Sequence, residues 1–127
     1  MSQPVIVLIG RILLSIIFIL AGFGKITNIG GTAGYFGSMG LPVPMVTAVV
    51  VSLVELVGGL FILVGFLTRP TAYVLALFCI ATAFIAHYNF SDMNQMINFQ
   101  KNFAMAGGFL VLAAFGPSTL SVDARRA

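Results

Sequence analysis

Apolar residues run along this chain in four long blocks, separated by short clusters of polar residues, glycine and proline. A helix needs about 20 mainly apolar residues to cross the hydrocarbon core of a bilayer. Four stretches meet that length. The first covers 5–24 and is interrupted only by Arg11, and the second covers 45–67 and contains Glu55. The third covers 70–88 and ends in His87-Tyr88, and the fourth covers 93–115 and carries Lys101. The pattern predicts an all-α fold: a four-helix antiparallel transmembrane bundle forming one membrane domain over 1–127.

The breaks agree with this division. Pro4 and Pro44 stand where a first helical turn tolerates proline, because the missing N–H has no intrahelical partner there. Thr68-Arg69-Pro70 leaves almost no loop between the second and third spans, which predicts a hairpin. Asp92 and Gln95 have the spacing of a capping box at the head of the fourth span, and Gly116-Pro117 ends it. The tail 118–127 is short and polar and is expected to be mobile. Between the first two spans, Gly30, Gly31, Gly34, Gly37 and Gly40 alternate with Tyr35, Phe36, Met39 and Leu41. That Gly-rich segment is too broken to span, since backbone in hydrocarbon must be bonded internally. An interfacial placement with a short helix around 32–39 fits it, and so does a plain loop.

Composition narrows the class. Of 127 residues 60% are hydrophobic and only 7% charged, against roughly a quarter charged in soluble domains. Such a chain cannot cover a water-facing surface, and the same apolar excess excludes disorder. The lipid bilayer is the expected partner. Six Lys/Arg scattered along the chain form no basic stripe, so no nucleic-acid partner is expected. The single cysteine, Cys79, excludes an internal disulfide. With four crossings, Arg69, Arg125 and Arg126 share the side of both termini while Lys25, with Lys101 nearby, marks the other. The bias puts both termini on the cytoplasmic side. The first block lacks a basic n-region and a convincing cleavage site, and reads as a retained span rather than a signal peptide.

Charge inside the spans is where chemistry is expected, because an ionisable residue near the bilayer centre costs on the order of 2.5–3.5 kcal/mol. Glu55 falls near the middle of the second span, with Arg11 and Lys101 within reach of its depth. Helical spacing places Glu55, Gly58, Gly59 and Ile62 on one face, and Arg11, Ser15, Phe18, Gly22 and Lys25 on another. Lys101, Ala104, Met105 and Gly108 share a third. A buried Arg11–Glu55–Lys101 cluster on the bundle axis is therefore expected, the small residues allowing close helix approach. Two roles fit it equally: a chemical site, or an ion pair that only fixes helix register. Arg11 also fits a simple snorkel to the headgroups. His87 is placed at the outer mouth, near Lys25 and Lys101, either as a proton donor or acceptor or as an interfacial residue with a wet tip. A lone histidine without a Cys, Asp or Glu cluster predicts no metal site.

The ordered set of residues resembles a known family. Arg11, Phe18-Ile19, Gly22 and Lys25, then Gly40-Leu41-Pro42, Glu55-Leu56-Val57-Gly58-Gly59, Gly65 and Thr68-Arg69 are similar to the DoxX family. His87, Lys101-Asn102, Gly107-Gly108, Gly116-Pro117 and Ser121-Val122-Asp123 continue the match through nearly the whole chain. The resemblance implies a small four-helix bacterial inner-membrane protein. The family takes its name from a subunit of a thiosulfate:quinone oxidoreductase, which implies work beside the quinone pool as an accessory subunit. It carries over Glu55, Lys101 and His87 as the catalytic candidates and Arg11, Lys25 and Asn102 as the cofactor-binding ones. Quinone is the cofactor so implied. No flavin, haem, iron–sulfur or metal motif is visible, so any redox centre is expected in a partner protein.

Two other classes compete with a quinone-linked subunit. A proton-coupled or small-solute transporter would use Glu55 as its coupling acid, although no acidic counterpart stands in the fourth span. A membrane scaffold or assembly factor would use the charges for packing alone, and homo-oligomerisation is compatible with any of the three.

Overall fold

The computed structural model describes residues 1–126, and these form six α-helices with no strand among them. They are α1 (Gln3–Ile26), α2 (Ile29–Ser38), α3 (Pro44–Val64), α4 (Thr68–Ala86), α5 (Met93–Phe115) and α6 (Val122–Arg126). Three of them, α1, α3 and α4, are long and apolar enough to cross a membrane. The 23-residue α5 matches them in length. Its first half is diluted by Asn94, Gln95, Asn98, Gln100, Lys101 and Asn102, so its composition is mixed.

Local chemistry sets the ends. Pro4 and Pro44 lie in the first turns of α1 and α3. Pro70 lies two residues inside α4, which begins at Thr68, so the hairpin expected before it is the turn Gly65–Leu67. Gly65 there has φ +74 and Leu67 φ +46. Asp92 caps α5 by accepting from the Asn94 N–H at 2.9 Å. Gln95, however, reaches back to the Asn89 N–H at 3.0 Å rather than to Asp92, so the reciprocal box does not form.

Helix α1 crosses α3 at small residues. A Cβ on Gly22 would stand 2.5 Å from the Leu56 backbone nitrogen, and one on Gly59 would stand 3.0 Å from that of Ile19. Hydrogen side chains are what let these backbones approach. The central core draws on all four long helices, with Phe18, Ile62, Leu75, Cys79 and Phe109 fully or almost fully buried. The Phe18 ring meets the Phe109 ring edge-on, with centroids 5.4 Å apart. A second, smaller core of Ala33, Phe36 and Ala48 seats α2 on the first half of α3. Outward faces remain apolar, with Leu13, Leu20, Leu77 and Val111 exposed, as suits helices whose surroundings are acyl chains.

The tail corrects its expectation over 118–126, Ala127 lying outside the described residues. It folds back as a clasp instead of trailing. Arg11, 1% exposed, donates to the carbonyls of Pro117 (3.2 Å) and Leu120 (2.7 Å). The Asp123 carboxylate accepts from the N–H groups of Leu67 and Thr68, each at 2.8 Å, capping the start of α4. The Asp123 N–H donates to the Gly65 carbonyl at 2.8 Å. Gly65 has to be glycine here, because a Cβ would run into the Arg11 guanidinium and Ser121. Burial alone would raise the Asp123 carboxyl, but the Thr68 and Leu67 donors and the Arg126 charge hold it below the usual carboxylate range.

Candidate functional site

The α1–α3 crossing brings Lys25 and Glu55 together. Gly22 faces Leu56, so Lys25, almost one turn later, comes level with Glu55, which precedes Leu56. Lys25 Nζ lies 2.7 Å from Glu55 Oε1, with the side chains 30% and 10% exposed. The contact is a close approach of charges without the alignment of a hydrogen bond, and Oε1 has no other partner among the described residues.

The same register removes Arg11 from the expected cluster. Gly22 opposite Leu56 and Ile19 opposite Gly59 define an antiparallel crossing in which Arg11 comes beside Gly65. Along α1 that is about twelve residues, or roughly 18 Å, from the level of Glu55. Arg11 neither joins the acid nor snorkels. It is spent on the tail carbonyls. Lys25 takes the place expected of Arg11, although both lie on the α1 stripe that the spacing identified, whose Arg11, Ser15, Phe18 and Gly22 are all buried.

A cavity of about 260 Å³ opens beside the pair. Its polar wall consists of Lys25, Glu55, Thr82, His87, Asn98, Lys101 and Asn102, and Phe18, Phe78 and Met105 close its apolar side. The structure therefore brings Glu55, His87, Lys101, Lys25 and Asn102 to one chamber and leaves Arg11 out. The α5 face is rotated from its expectation: Asn102, Ala106, Phe109 and Ala113 are buried, whereas Lys101 and Ala104 are exposed. One residue is about 100° of helix, which moves Lys101 from the axis to the rim of the chamber. Asn102 turns inward and donates to the Asn98 carbonyl at 2.9 Å. Thr82 and Asn98 are chamber residues that sequence reasoning did not single out.

His87 follows the last residue of α4 and is half-buried. Burial, and then the positive charge of Lys101, push its imidazole below the ordinary histidine value of about 6.5. At neutral pH it is uncharged, with one nitrogen able to accept and the other to donate.

A second cavity of about 320 Å³ shares Lys25, Glu55, Phe78, Thr82 and His87 with the first. Beyond these it is lined by Tyr35, Phe36 and Met39 of α2 and its exit, and by Leu41, Val51, Ala81 and Ile85. The Gly-rich segment thus forms part of the wall as a ten-residue helix, tied to α1 by the Thr32 hydroxyl, which donates to the Lys25 carbonyl at 3.3 Å. Two larger hollows, of about 430 and 400 Å³, lie elsewhere. The first is an apolar groove between α3 and α4, and the second runs between α1 and α5 past Arg11. Neither contains a titratable group that is not already engaged. No group of three or more His, Cys, Asp or Glu side chains able to hold a metal occurs among the described residues.

The comparisons with known proteins follow the same outline. A family model described as DoxX matches residues 6–88, which carries α1 to α4 and the Lys25–Glu55 pair. The chain belongs to the DoxX family. It is 48% identical over 121 residues to the Inner membrane protein YqjF of Escherichia coli (strain K12), covering 95% of this chain and 92% of that protein. It is 40% identical over 130 residues to the Inner membrane protein YphA of the same organism, covering 98% and 92%. A partial match, 39% identical over 67 residues, is to a Bacillus subtilis (strain 168) protein named "Putative oxidoreductase CatD", covering 53% of this chain and 48% of that one. No solved structure matches the chain.

Proposed function

We propose that this DoxX-family membrane protein binds the head of a lipophilic quinone in the Glu55 chamber and serves as an accessory subunit of a quinone-linked oxidoreductase. One observation carries the reading: a polar cavity and an apolar cavity share a wall formed by Lys25, Glu55, Phe78, Thr82 and His87. A quinone needs that combination, with donors for its ring oxygens and an apolar path for its isoprenoid chain. Each cavity is near the lower end of the volumes that hold small ligands, about 300 Å³. Lys101 and the His87 imidazole are placed to donate to ring oxygens, and Glu55, held by Lys25, to take or return a proton. Phe18, Phe78 and Met105 exclude water from one side. The quinone supplies the two-electron chemistry, with the electrons delivered by a partner protein that holds the redox centre. The printed name of the Bacillus subtilis relative agrees with oxidoreductase work.

The same reading completes the topology. Helix α5 is the fourth crossing, in which Asn98 and Asn102 line the chamber and Lys101 stands at its rim. Helix α2 lies at the membrane interface, covering the first half of α3 that extends beyond the end of α1. Both termini, with Arg69, Arg125 and Arg126, face the cytoplasm of the inner membrane. The ion-paired state of Glu55 favours this over cation transport, which is served better by a free carboxylate.

The test is binding of a decyl-tailed benzoquinone to the purified protein in nanodiscs, with native mass spectrometry of the protein as isolated. Saturable binding, weakened at least tenfold in Glu55→Gln, is expected. Absence of any bound quinone in both measurements overturns the proposal.

A further inference from the structure

The charges around the polar chamber do not balance. The chain has three acidic residues, Glu55, Asp92 and Asp123. Asp92 is engaged at the head of α5 and Asp123 at the start of α4, both outside the chamber wall. Glu55 is thus the one carboxylate there, facing two ammonium groups, Lys25 and Lys101. Lys25 is matched with it at 2.7 Å, and Lys101 makes no ion pair among the described residues. His87 beside them is neutral at pH 7, so it neither adds nor removes charge. One positive charge is left over, in a chamber whose remaining lining is uncharged: Thr82, His87, Asn98, Asn102 and apolar side chains. A net charge of one sign beside low-dielectric walls concentrates the opposite ion. The Glu55 carboxylate does not cancel this attraction, because Lys25 already neutralises it.

Resting on the quinone reading above, we infer that the ligand this chamber selects is an acidic lipophile. Its quinone-type ring carries an ionised hydroxyl that meets the Lys101 ammonium, and its chain lies in the second cavity against α2. A neutral quinone of equal size would fill the same space and leave Lys101 unmatched. Atoms of the ligand are not changed by this step, which is binding alone.

The experiment compares two probes in nanodiscs of phosphatidylcholine, a lipid without net charge. One is a decyl-substituted hydroxynaphthoquinone, whose acidic hydroxyl is ionised at neutral pH, and the other is its methyl ether, neutral but otherwise alike. Partition into protein-free nanodiscs is subtracted from each. The ionised probe is expected to bind at least tenfold tighter, about 1.4 kcal/mol. Lys101→Gln removes a donor from both probes, and should weaken the ionised one at least tenfold more than the ether, so that the preference disappears. Lys101 is exposed at the chamber rim, so the variant folds, and circular dichroism checks that it does. Equal binding of the two probes overturns this inference and leaves the quinone reading standing. A preference that survives in Lys101→Gln overturns the placement of the ionised oxygen. Binding of neither probe overturns both.

Discussion

Replacing Lys25 by methionine asks what the ion pair is worth where it lies. At 2.7 Å and an effective dielectric of about 20, the Coulomb attraction is roughly 6 kcal/mol before desolvation is subtracted. Breaking a fully buried pair by removing one partner costs about 3–5 kcal/mol, whereas exposed pairs contribute about 0–1 kcal/mol. Lys25 is 30% exposed at its side chain and Glu55 only 10%, so the site lies between these limits. We expect Lys25→Met to lower stability by about 2–3 kcal/mol, because a carboxylate is left without a counter-charge. Glu55→Gln should cost less, about 1 kcal/mol, since the freed ammonium can turn to solvent. The double variant should fall short of the sum by about 1–2 kcal/mol. The chain has no tryptophan, so unfolding by dodecyl sulfate in mixed micelles is best followed by far-ultraviolet circular dichroism. Additive effects, with coupling under about 0.5 kcal/mol, would refute the pairing and with it the α1–α3 register on which the chamber depends.

Further outcomes are expected at other positions. Gly22→Ala should destabilise by about 1–3 kcal/mol through overpacking against the α3 backbone. Gly10→Ala, with nothing within 4 Å of the new Cβ, should be neutral or slightly stabilising in the same unfolding assay. Asp123→Asn should cost roughly 1–2 kcal/mol at pH 7 by weakening two charge-assisted hydrogen bonds to the start of α4. Because the folded carboxyl titrates below its unfolded value of about 3.9, that stabilisation is complete above this value and disappears as pH falls through the folded one. The wild type should therefore lose its advantage over the variant below about pH 4. The imidazole of His87, the one histidine in the chain, should titrate below about 6.5 by nuclear magnetic resonance. Lys101→Gln should move it upward by removing a neighbouring positive charge, and an unmoved titration would separate the two residues.

The apolar spans of α1, α3 and α4 and the inward faces of α1 and α3 were legible in the amino-acid order because lipid-spanning segments need long apolar runs and each helix repeats every 3.6 residues. The stripe Arg11, Ser15, Phe18 and Gly22 is buried as its spacing requires, and so are Glu55, Gly58, Gly59 and Ile62. Periodicity says which face turns inward, and nothing about how far one helix slides along another. That offset is decided by the Gly22–Leu56 and Gly59–Ile19 contacts, and it assigns Lys25 rather than Arg11 to Glu55. The rotation of α5 by one residue depends likewise on how Phe109 packs against Phe18, remote in the chain. The clasp of α6 was hidden for a similar reason. Ser121-Val122-Asp123 is polar and short, and becomes ordered only because the Gly65–Leu67 turn offers free N–H groups and Arg11 offers donors to the tail carbonyls.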